Sequence, residues 1–169
     1  MRRFHLSLSL PYTICLIRRN RKVLLINKEK PTWMGRWNGV GGKIEKGETP
    51  KQNILREIQE ETTIQLHDVT YKGVVTWSVD HAYMGGMHLF DKELPINFTL
   101  QTPFKNKEGI VDWKDYDWVL HRENKGIADT LPHYFPIALK SAQPLNHHFV
   151  FEKGVITKYV TKIYDGMDS

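Results

Sequence analysis

The sequence predicts an α/β fold of the α+β type, in which a mixed β-sheet is flanked by helices. Three observations predict it: several runs with strand periodicity, two segments with helical periodicity, and no strict alternation between the two kinds of segment. The chain has 169 residues and no internal repeat or linker-like tract. We therefore expect a single domain over residues 1–169.

The first strands are predicted before residue 30. Residues 4–10 alternate Phe or Leu with His or Ser, which is the period of a strand. Residues 12–17 and 23–27 are further strand-like runs, and the polar residues 18–21 between them predict a hairpin turn. Residues 35–47 are rich in glycine, so we expect their backbone to turn sharply or to approach another group closely.

A helix is predicted over residues 49–62. Thr49 can cap its N-terminus, Pro50 suits the first helical position, and Gln52 completes a capping box with Thr49.

Strands, loops and one more helix are predicted beyond residue 65. Strand-like stretches recur at residues 69–79, 87–91 and 113–119. Loops are predicted near Pro95, near Pro103 and over residues 105–109. A second helix is predicted over residues 131–141. Residues 149–151 and 155–164 predict a closing hairpin around Lys153 and Gly154.

Composition and charge exclude several classes of protein. The single cysteine, Cys15, can form no internal disulfide bond, which favours a reducing compartment. No run of about 18 apolar residues occurs, and His5 and Pro11 interrupt the N-terminal apolar stretch, so we expect no membrane partner and a cytoplasmic location. The formal charge of +5 is not gathered into a block, so no nucleic-acid partner is expected.

The first predicted helix carries three clustered carboxylates. Around the helix axis, Glu60 lies about 300° and Glu61 about 40° from Glu57, so the three share an arc of roughly 100°. Such a cluster suits a hard divalent cation bound through oxygen atoms. The alternative is a solvated acidic face, offset by basic neighbours such as Arg56.

The spacing around this helix resembles the Nudix box, Gly-x5-Glu-x7-Arg-Glu-U-x-Glu-Glu-x-Gly-U, in which U is aliphatic. The matching residues are Gly42, Glu48, Arg56, Glu57, Ile58, Glu60, Glu61 and Ile64. The departure is Thr63, which stands where the family has glycine. If that glycine is a left-handed cap, we expect Thr63 to cost about 1 kcal/mol or to change the helix exit.

The resemblance implies a Nudix-type α/β/α sandwich with a mixed sheet, and a Mg²⁺-dependent hydrolase in which Mn²⁺ can substitute. It implies metal ligation by the following groups: the carboxylates of Glu57, Glu60 and Glu61 and the backbone carbonyl of Gly41. Arg56 would orient the glutamates, and Glu48 would brace the loop or reach the metal through water. Glu57 is the first choice for the general base, since a carboxylate not saturated by metal can accept a proton from water.

A second resemblance narrows the branch. Lys107-Glu108-Gly109 is similar to the loop from which MutT-like members bring one more carboxylate to the metals, so Glu108 is the second candidate base; the alternative is an ordinary loop glutamate. The segment over residues 35–44 is similar to the animal oxidised purine nucleoside triphosphatases, whose equivalent of Asn38 binds the base. The alternative for Asn38 is a turn-forming role.

Two further observations bear on the substrate. Trp33 could stack on a base or simply pack beside Pro31. The animal enzymes also read the base with two adjacent Asp residues; no such pair follows Pro132, and Asp129 is the nearest carboxylate. His147 and His148 are given no role, because adjacent residues of a strand point to opposite faces.

The function implied is cleavage of a purine nucleoside triphosphate to the monophosphate and pyrophosphate, with 8-oxo-dGTP as a candidate substrate and sanitation of the nucleotide pool as the role. One alternative is a Nudix pyrophosphatase for ADP-ribose, a dinucleoside polyphosphate or another diphosphate. Another is a non-catalytic module that senses a nucleotide, which would predict a degraded box. The oligomeric state is left open.

Overall fold

The computed structural model describes residues 10–30 and 34–166. The strand predicted over residues 4–10 therefore lies, except for Leu10, outside the described residues, and so does Trp33. The strands are β1 (Tyr12–Arg19), β2 (Lys22–Lys28), β3 (Trp37–Gly39), β4 (Thr70–Val79), β5 (Tyr83–Glu93), β6 (Phe104–Lys105), β7 (Gly109–Asp115), β8 (Leu145–Glu152) and β9 (Val155–Ile163). The helices are α1 (Pro50–Thr62), α2 (Tyr116–Leu120) and α3 (Leu131–Lys140).

These strands form one mixed sheet in the order β6-β7-β2-β1-β5-β4-β8-β9, and β3 pairs with β2 beside this path. Strand β1 runs parallel to β5 and β4 runs parallel to β8, whereas the other neighbours in the order are antiparallel. The mixed sheet expected from the sequence is confirmed.

Helices cover both faces of the sheet because each has one apolar side to bury. On one face Ile54 and Ile58 of α1 pack against a buried cluster that includes Leu24 and Ile26 of β2. On the other face α2 and α3 pack against a second buried cluster, in which α3 contributes Leu131, Tyr134, Phe135 and Ala138. The α/β/α sandwich is therefore confirmed.

Tight turns close two of the predicted hairpins. Asn20 and Arg21 both have positive φ between β1 and β2, as a two-residue turn matched to the strand twist requires. Lys153 and Gly154 do the same between β8 and β9. Both hairpins predicted at these positions are confirmed.

The prediction for residues 113–119 is wrong in its bounds. Strand β7 begins at Gly109 and ends at Asp115, and the next five residues form α2. Pairing with β2 decides the start of β7, since Lys28 is opposite Gly109 and Leu24 is opposite Trp113. The local sequence predicts a loop over residues 105–109, because it does not reveal the pairing of this segment with β2.

None of the helices in the described part of the chain combines the length and the hydrophobicity that a transmembrane span requires.

Candidate metal-binding cleft

Helix α1 begins where the sequence predicts it and carries its carboxylates into a cleft. Thr49 accepts a hydrogen bond from the backbone N–H of Gln52, and the Gln52 side chain accepts one from the N–H of Thr49, which is the predicted capping box. The helix ends at Thr62, and Thr63 is the C-cap with φ of 68°. The left-handed cap expected at this position is therefore present, with threonine in place of glycine.

An open cleft of about 330 Å³ lies at one end of α1. Its lining comes from four separate parts of the chain: the start of β1, the end of β2, the glycine-rich loop with α1, and the loop before β7. The lining residues are Tyr12, Lys28, Gly41, Gly42, Lys43, Glu45, Arg56, Glu57, Glu60, Glu61, Asn106, Lys107 and Glu108. The structure thus brings together Gly41, the three helix glutamates, Arg56 and Glu108.

Two adjacent glycines allow the loop to lie against the sheet and the helix. A side chain at Gly41 would collide with the backbone carbonyl of Thr13, and one at Gly42 would lie 2.5 Å from the Glu57 carboxylate. Neither position can accept a Cβ atom without moving its neighbours. The close approach predicted for the glycine-rich stretch is confirmed at these two residues.

The two innermost carboxylates are held in surroundings that disfavour their charge. Glu61 is 3% exposed, and burial raises its pKa to about 8; Lys28 opposes that shift, while the Glu57 carboxylate adds to it. Burial also raises the pKa of Glu57, and Arg56 opposes that shift. A bound cation would compensate both carboxylates, so these residues have the charge and the hard oxygen donors that a divalent metal ion needs.

Arg56 connects the carboxylates of the cleft. Its Nε and Nη2 atoms donate to the two oxygens of Glu48 at 2.8 and 2.9 Å, and Nη1 lies 3.1 Å from Glu60 and 3.3 Å from Glu57. The paired hydrogen bonds from Arg56 lower the pKa of Glu48 to about 2, so that carboxylate stays ionised. Arg56 and Glu48 therefore stand where an orienting and a bracing role would require them.

Glu108 enters the cleft from the loop before β7. The side-chain oxygen of Asn106 accepts hydrogen bonds from the N–H groups of Glu108 and Gly109. The Nδ2 group of Asn106 donates a hydrogen bond of 2.7 Å to the backbone carbonyl of Glu61. Asn106 therefore joins this loop to the C-terminal turn of α1. The charge of Glu108 raises the pKa of both Glu57 and Glu61, because all three carboxylates face the same space.

Sequence reasoning did not single out Lys28 and Asn106. Lys28 is half-buried at the end of β2, and its ammonium group is the cation that most opposes the pKa rise of Glu61. Both residues come near Glu61 only after β2, β7 and α1 have assembled. No local motif marks either position.

Of the two residues predicted to bind the purine base, the structure describes only Asn38. Asn38 is on β3 opposite Ile26, outside the lining of the cleft, and its side-chain oxygen accepts a hydrogen bond from the N–H of Gly39. Trp33 is outside the described residues. Asp129 is held by Arg36, with 2.6 Å between the charged atoms.

Glu60 is half exposed at the rim, whereas Glu57 and Glu61 lie deeper. Within residues 10–30 and 34–166, no three His, Cys, Asp or Glu side chains already converge on one point. The three helix glutamates nonetheless face one cleft with the Gly41 backbone. Mg²⁺ and Mn²⁺ prefer such oxygen donors, so the donor set fits the predicted metal.

The chain is similar to a known protein family and to a mouse protein. The model of the family described as the NUDIX domain matches residues 9–135. The chain is 26% identical over 164 residues to a mouse protein named oxidized purine nucleoside triphosphate hydrolase, covering 95% of this chain and 99% of that one.

Solved structures share the fold. The crystal structure of a MutT protein from Bacillus halodurans superposes with a TM-score of 0.72 at 24% identity, over 89% of this chain and 96% of that one. The NUDIX domain of NrtR from Shewanella oneidensis, crystallised with ADP ribose, gives a TM-score of 0.61 at 18% identity, over 78% and 88%.

Proposed function

The chain belongs to the Nudix family as a MutT-like hydrolase, and we propose that it cleaves a purine nucleoside triphosphate to the monophosphate and pyrophosphate. The observation that carries the proposal is the cleft in which Glu57, Glu61 and Glu108 face the Gly41 backbone beside Lys28. Mg²⁺ is the proposed cofactor, and Mn²⁺ can replace it.

The bound ion would supply charge neutralisation to the triphosphate and acidity to the attacking water. Glu57, Glu60, Glu61 and the carbonyl of Gly41 would hold it. Arg56 keeps the carboxylates of Glu57 and Glu60 oriented through contacts of 3.1–3.3 Å. Glu57 is the proposed base and Glu108 the second candidate, because each has a carboxylate on the cleft surface where it can receive a proton from water.

The mouse relative supports a purine nucleoside triphosphate as substrate, since the similarity extends over nearly the whole of both chains. We propose 8-oxo-dGTP as the first substrate to test and sanitation of the free nucleotide pool as the role, with no nucleic acid involved. Asn38 is the proposed reader of the base and Trp33 a proposed stacking residue. The single cysteine is unpaired and buried, which supports a reducing compartment such as the cytoplasm.

ADP-ribose is the second candidate substrate. Asp129 is the carboxylate nearest to the position where the animal enzymes have the two Asp residues that bind the purine base. Its carboxylate forms an ion pair with Arg36. This pairing favours a substrate whose recognition does not need two free carboxylates. The structural neighbour crystallised with ADP ribose supports the same alternative. A purely sensing role is disfavoured, because all four box carboxylates face the cleft or brace it.

A substrate panel with product analysis tests the proposal. We expect Mg²⁺-dependent release of pyrophosphate and a nucleoside monophosphate from 8-oxo-dGTP, with higher kcat/KM than for dGTP, ATP, ADP-ribose or a dinucleoside polyphosphate. AMP and ribose phosphate as the preferred products would instead establish the second candidate. No hydrolysis of any compound, with retained nucleotide binding, would leave only the sensing module.

The assignment of Glu57 as the general base is tested by substitution. We predict that Glu57→Gln folds but loses kcat by about 10²- to 10⁴-fold, because the amide can neither accept the proton nor bind the metal as a carboxylate does. The exposed loop variant Glu123→Gln is the matched control and should keep full activity. Full turnover by Glu57→Gln would refute the role given to Glu57.

A further inference from the structure

Asn53 is a completely buried amide within the first turns of α1, one turn before Glu57. The Nudix box leaves this position unspecified, so the box explains nothing about it. A buried amide is costly unless its polar atoms are paired, and a helix interior favours other residue types. The partners of Asn53 therefore show what it contributes.

Every polar group of the Asn53 side chain has a partner. The side-chain oxygen accepts a hydrogen bond from the hydroxyl of Thr13 at 2.5 Å. The Nδ2 group donates to the backbone carbonyl of Lys43 at 2.8 Å and to Oε1 of Glu48 at 3.1 Å. One side chain thus joins β1, the glycine-rich loop and α1.

Thr13 completes this connection from the strand. Its backbone N–H donates to the carbonyl of Gly42 at 2.9 Å, and the residue as a whole is 3% exposed. The residues that Asn53 and Thr13 hold directly are Gly42, Lys43 and Glu48. Gly42 follows the proposed carbonyl ligand Gly41, and Glu48 holds the guanidinium that contacts Glu57 and Glu60.

From this geometry we propose that Asn53 and Thr13 are positioning residues for the metal-binding cleft, a role that rests on the proposed function. They fix the loop that presents the Gly41 carbonyl, and they fix Glu48, which holds Arg56 against the ligand carboxylates. An apolar side chain at residue 53 would leave the Lys43 carbonyl and the Thr13 hydroxyl unpaired, so the loop would lose this one of its attachments to the helix.

The experiment uses four variants of the full chain. Asn53→Leu keeps the number and branching of the side-chain heavy atoms but has no hydrogen-bonding group, and Thr13→Val removes the hydroxyl from the partner. Thr13→Ser keeps the hydroxyl and should restore the wild-type behaviour. Ile54→Val, next to Asn53 and equally buried, is the control for a loss of packing in α1 that does not touch these hydrogen bonds.

Two measurements are made without substrate. The first is hydrogen exchange of backbone amides 41–48 in the metal-free protein, and the second is Mn²⁺ affinity by electron paramagnetic resonance of the free ion. We expect faster exchange in Asn53→Leu and Thr13→Val, and an Mn²⁺ affinity weakened by about 10- to 100-fold in Asn53→Leu, the usual effect of removing a group that orients metal ligands. Thr13→Ser and Ile54→Val should keep both values near those of the wild type.

Several results would overturn the proposal. Wild-type exchange and Mn²⁺ affinity in Asn53→Leu would refute it, and so would equal losses in Ile54→Val, which would show that any weakening of α1 suffices. If Asn53→Leu does not fold, Thr13→Val and Thr13→Ser decide by the same two measurements. A wild-type protein that binds no Mn²⁺ would refute the proposed function and the metal role together, whereas unchanged variants of a protein that binds Mn²⁺ refute the positioning role alone.

Discussion

His147 shows what one buried side chain can do to the stability of the fold. It is 0% exposed on β8; its Nδ1 lies 2.8 Å from the hydroxyl of Tyr159, and its ring is tilted against that of Tyr134 at 5.7 Å between centroids. Its Nε2 has no hydrogen-bond partner among the described residues. His148 points the other way, to Thr76, as expected for adjacent residues of a strand.

This burial predicts a pH dependence of stability. Burial lowers the pKa of His147 from 6.5 to about 4, so the unfolded chain binds a proton there that the folded chain does not. The free energy of unfolding therefore has the full contribution of neutral His147 above pH 6.5. It loses up to about 3 kcal/mol of that contribution as the pH falls toward 4. Urea unfolding across this range should show a shallower fall in the free energy of unfolding for His147→Phe. The exposed variant His67→Gln should follow the wild type, and an unchanged slope in His147→Phe would contradict the assignment.

Single residues of the cleft differ in how far the sequence reveals them. Glu57, Glu60, Glu61, Glu48 and Arg56 follow from one local pattern, and the structure places the first three and Arg56 on the cleft. Lys28 and Asn106 have no such pattern, because their contribution comes from contacts to the end of α1 that exist only in the folded chain.

At the scale of elements, α1 is defined by its two ends. The capping box of Thr49 and Gln52 starts the helix where the sequence predicts it, since both partners lie within one turn. At the other end the chain turns with Thr63 in the left-handed conformation, and its N–H donates to the carbonyl of Gln59. A β-branched residue is strained in this conformation.

The helix end predicts a stabilising substitution. Thr63→Gly should raise the free energy of unfolding by about 0.5–1 kcal/mol, because the relief of strain exceeds the extra freedom of glycine in the unfolded chain. Thr63 is exposed, so its side chain loses little packing. Gln65→Gly, at an exposed position without positive φ, should lower stability instead. Urea unfolding at neutral pH measures both, and a loss of stability in Thr63→Gly would contradict the argument.

The strands show where local sequence is insufficient. Hairpin turns with two residues of positive φ are recognised from their polar composition, as at Asn20 and Arg21. The short strand β3 was expected only as part of a glycine-rich stretch, and it exists because Trp37, Asn38 and Gly39 pair with β2. Strand β7 likewise takes its bounds from β2 rather than from its own composition.

At the scale of the whole molecule, the proposed metal site would couple metal binding to folding. The proposed ligands come together only in the folded chain, so an ion bound by them would stabilise the fold. At an ion concentration 100 times Kd the gain is about 2.7 kcal/mol. The gain offsets the cost of burying Glu61 as a carboxylate.

This coupling predicts a metal-dependent melting temperature. The Tm of the wild type should rise with Mg²⁺ or Mn²⁺ concentration, measured by calorimetry at pH 8. Glu61→Gln should show little of this rise, because the amide is a weaker ligand, and its metal-free Tm should equal or exceed that of the wild type, since no charge is buried at residue 61. Glu123→Gln should keep the full rise. An equal rise in Glu61→Gln would remove Glu61 from the ligand set.

The sequence by itself determined the mixed sheet, the capped helix α1 and the cluster of carboxylates on that helix. Periodicity, capping and the spacing of the Nudix box are all properties of residues close together in the sequence. Only the tertiary structure decided that Lys28 and Asn106 lie beside those carboxylates, and that Thr13 contacts Asn53 across 40 residues of chain. These contacts depend on which strands pair and on which face α1 packs. Strand pairing and helix packing are set by the free energy of the whole chain, so they cannot be identified from any short segment of the sequence.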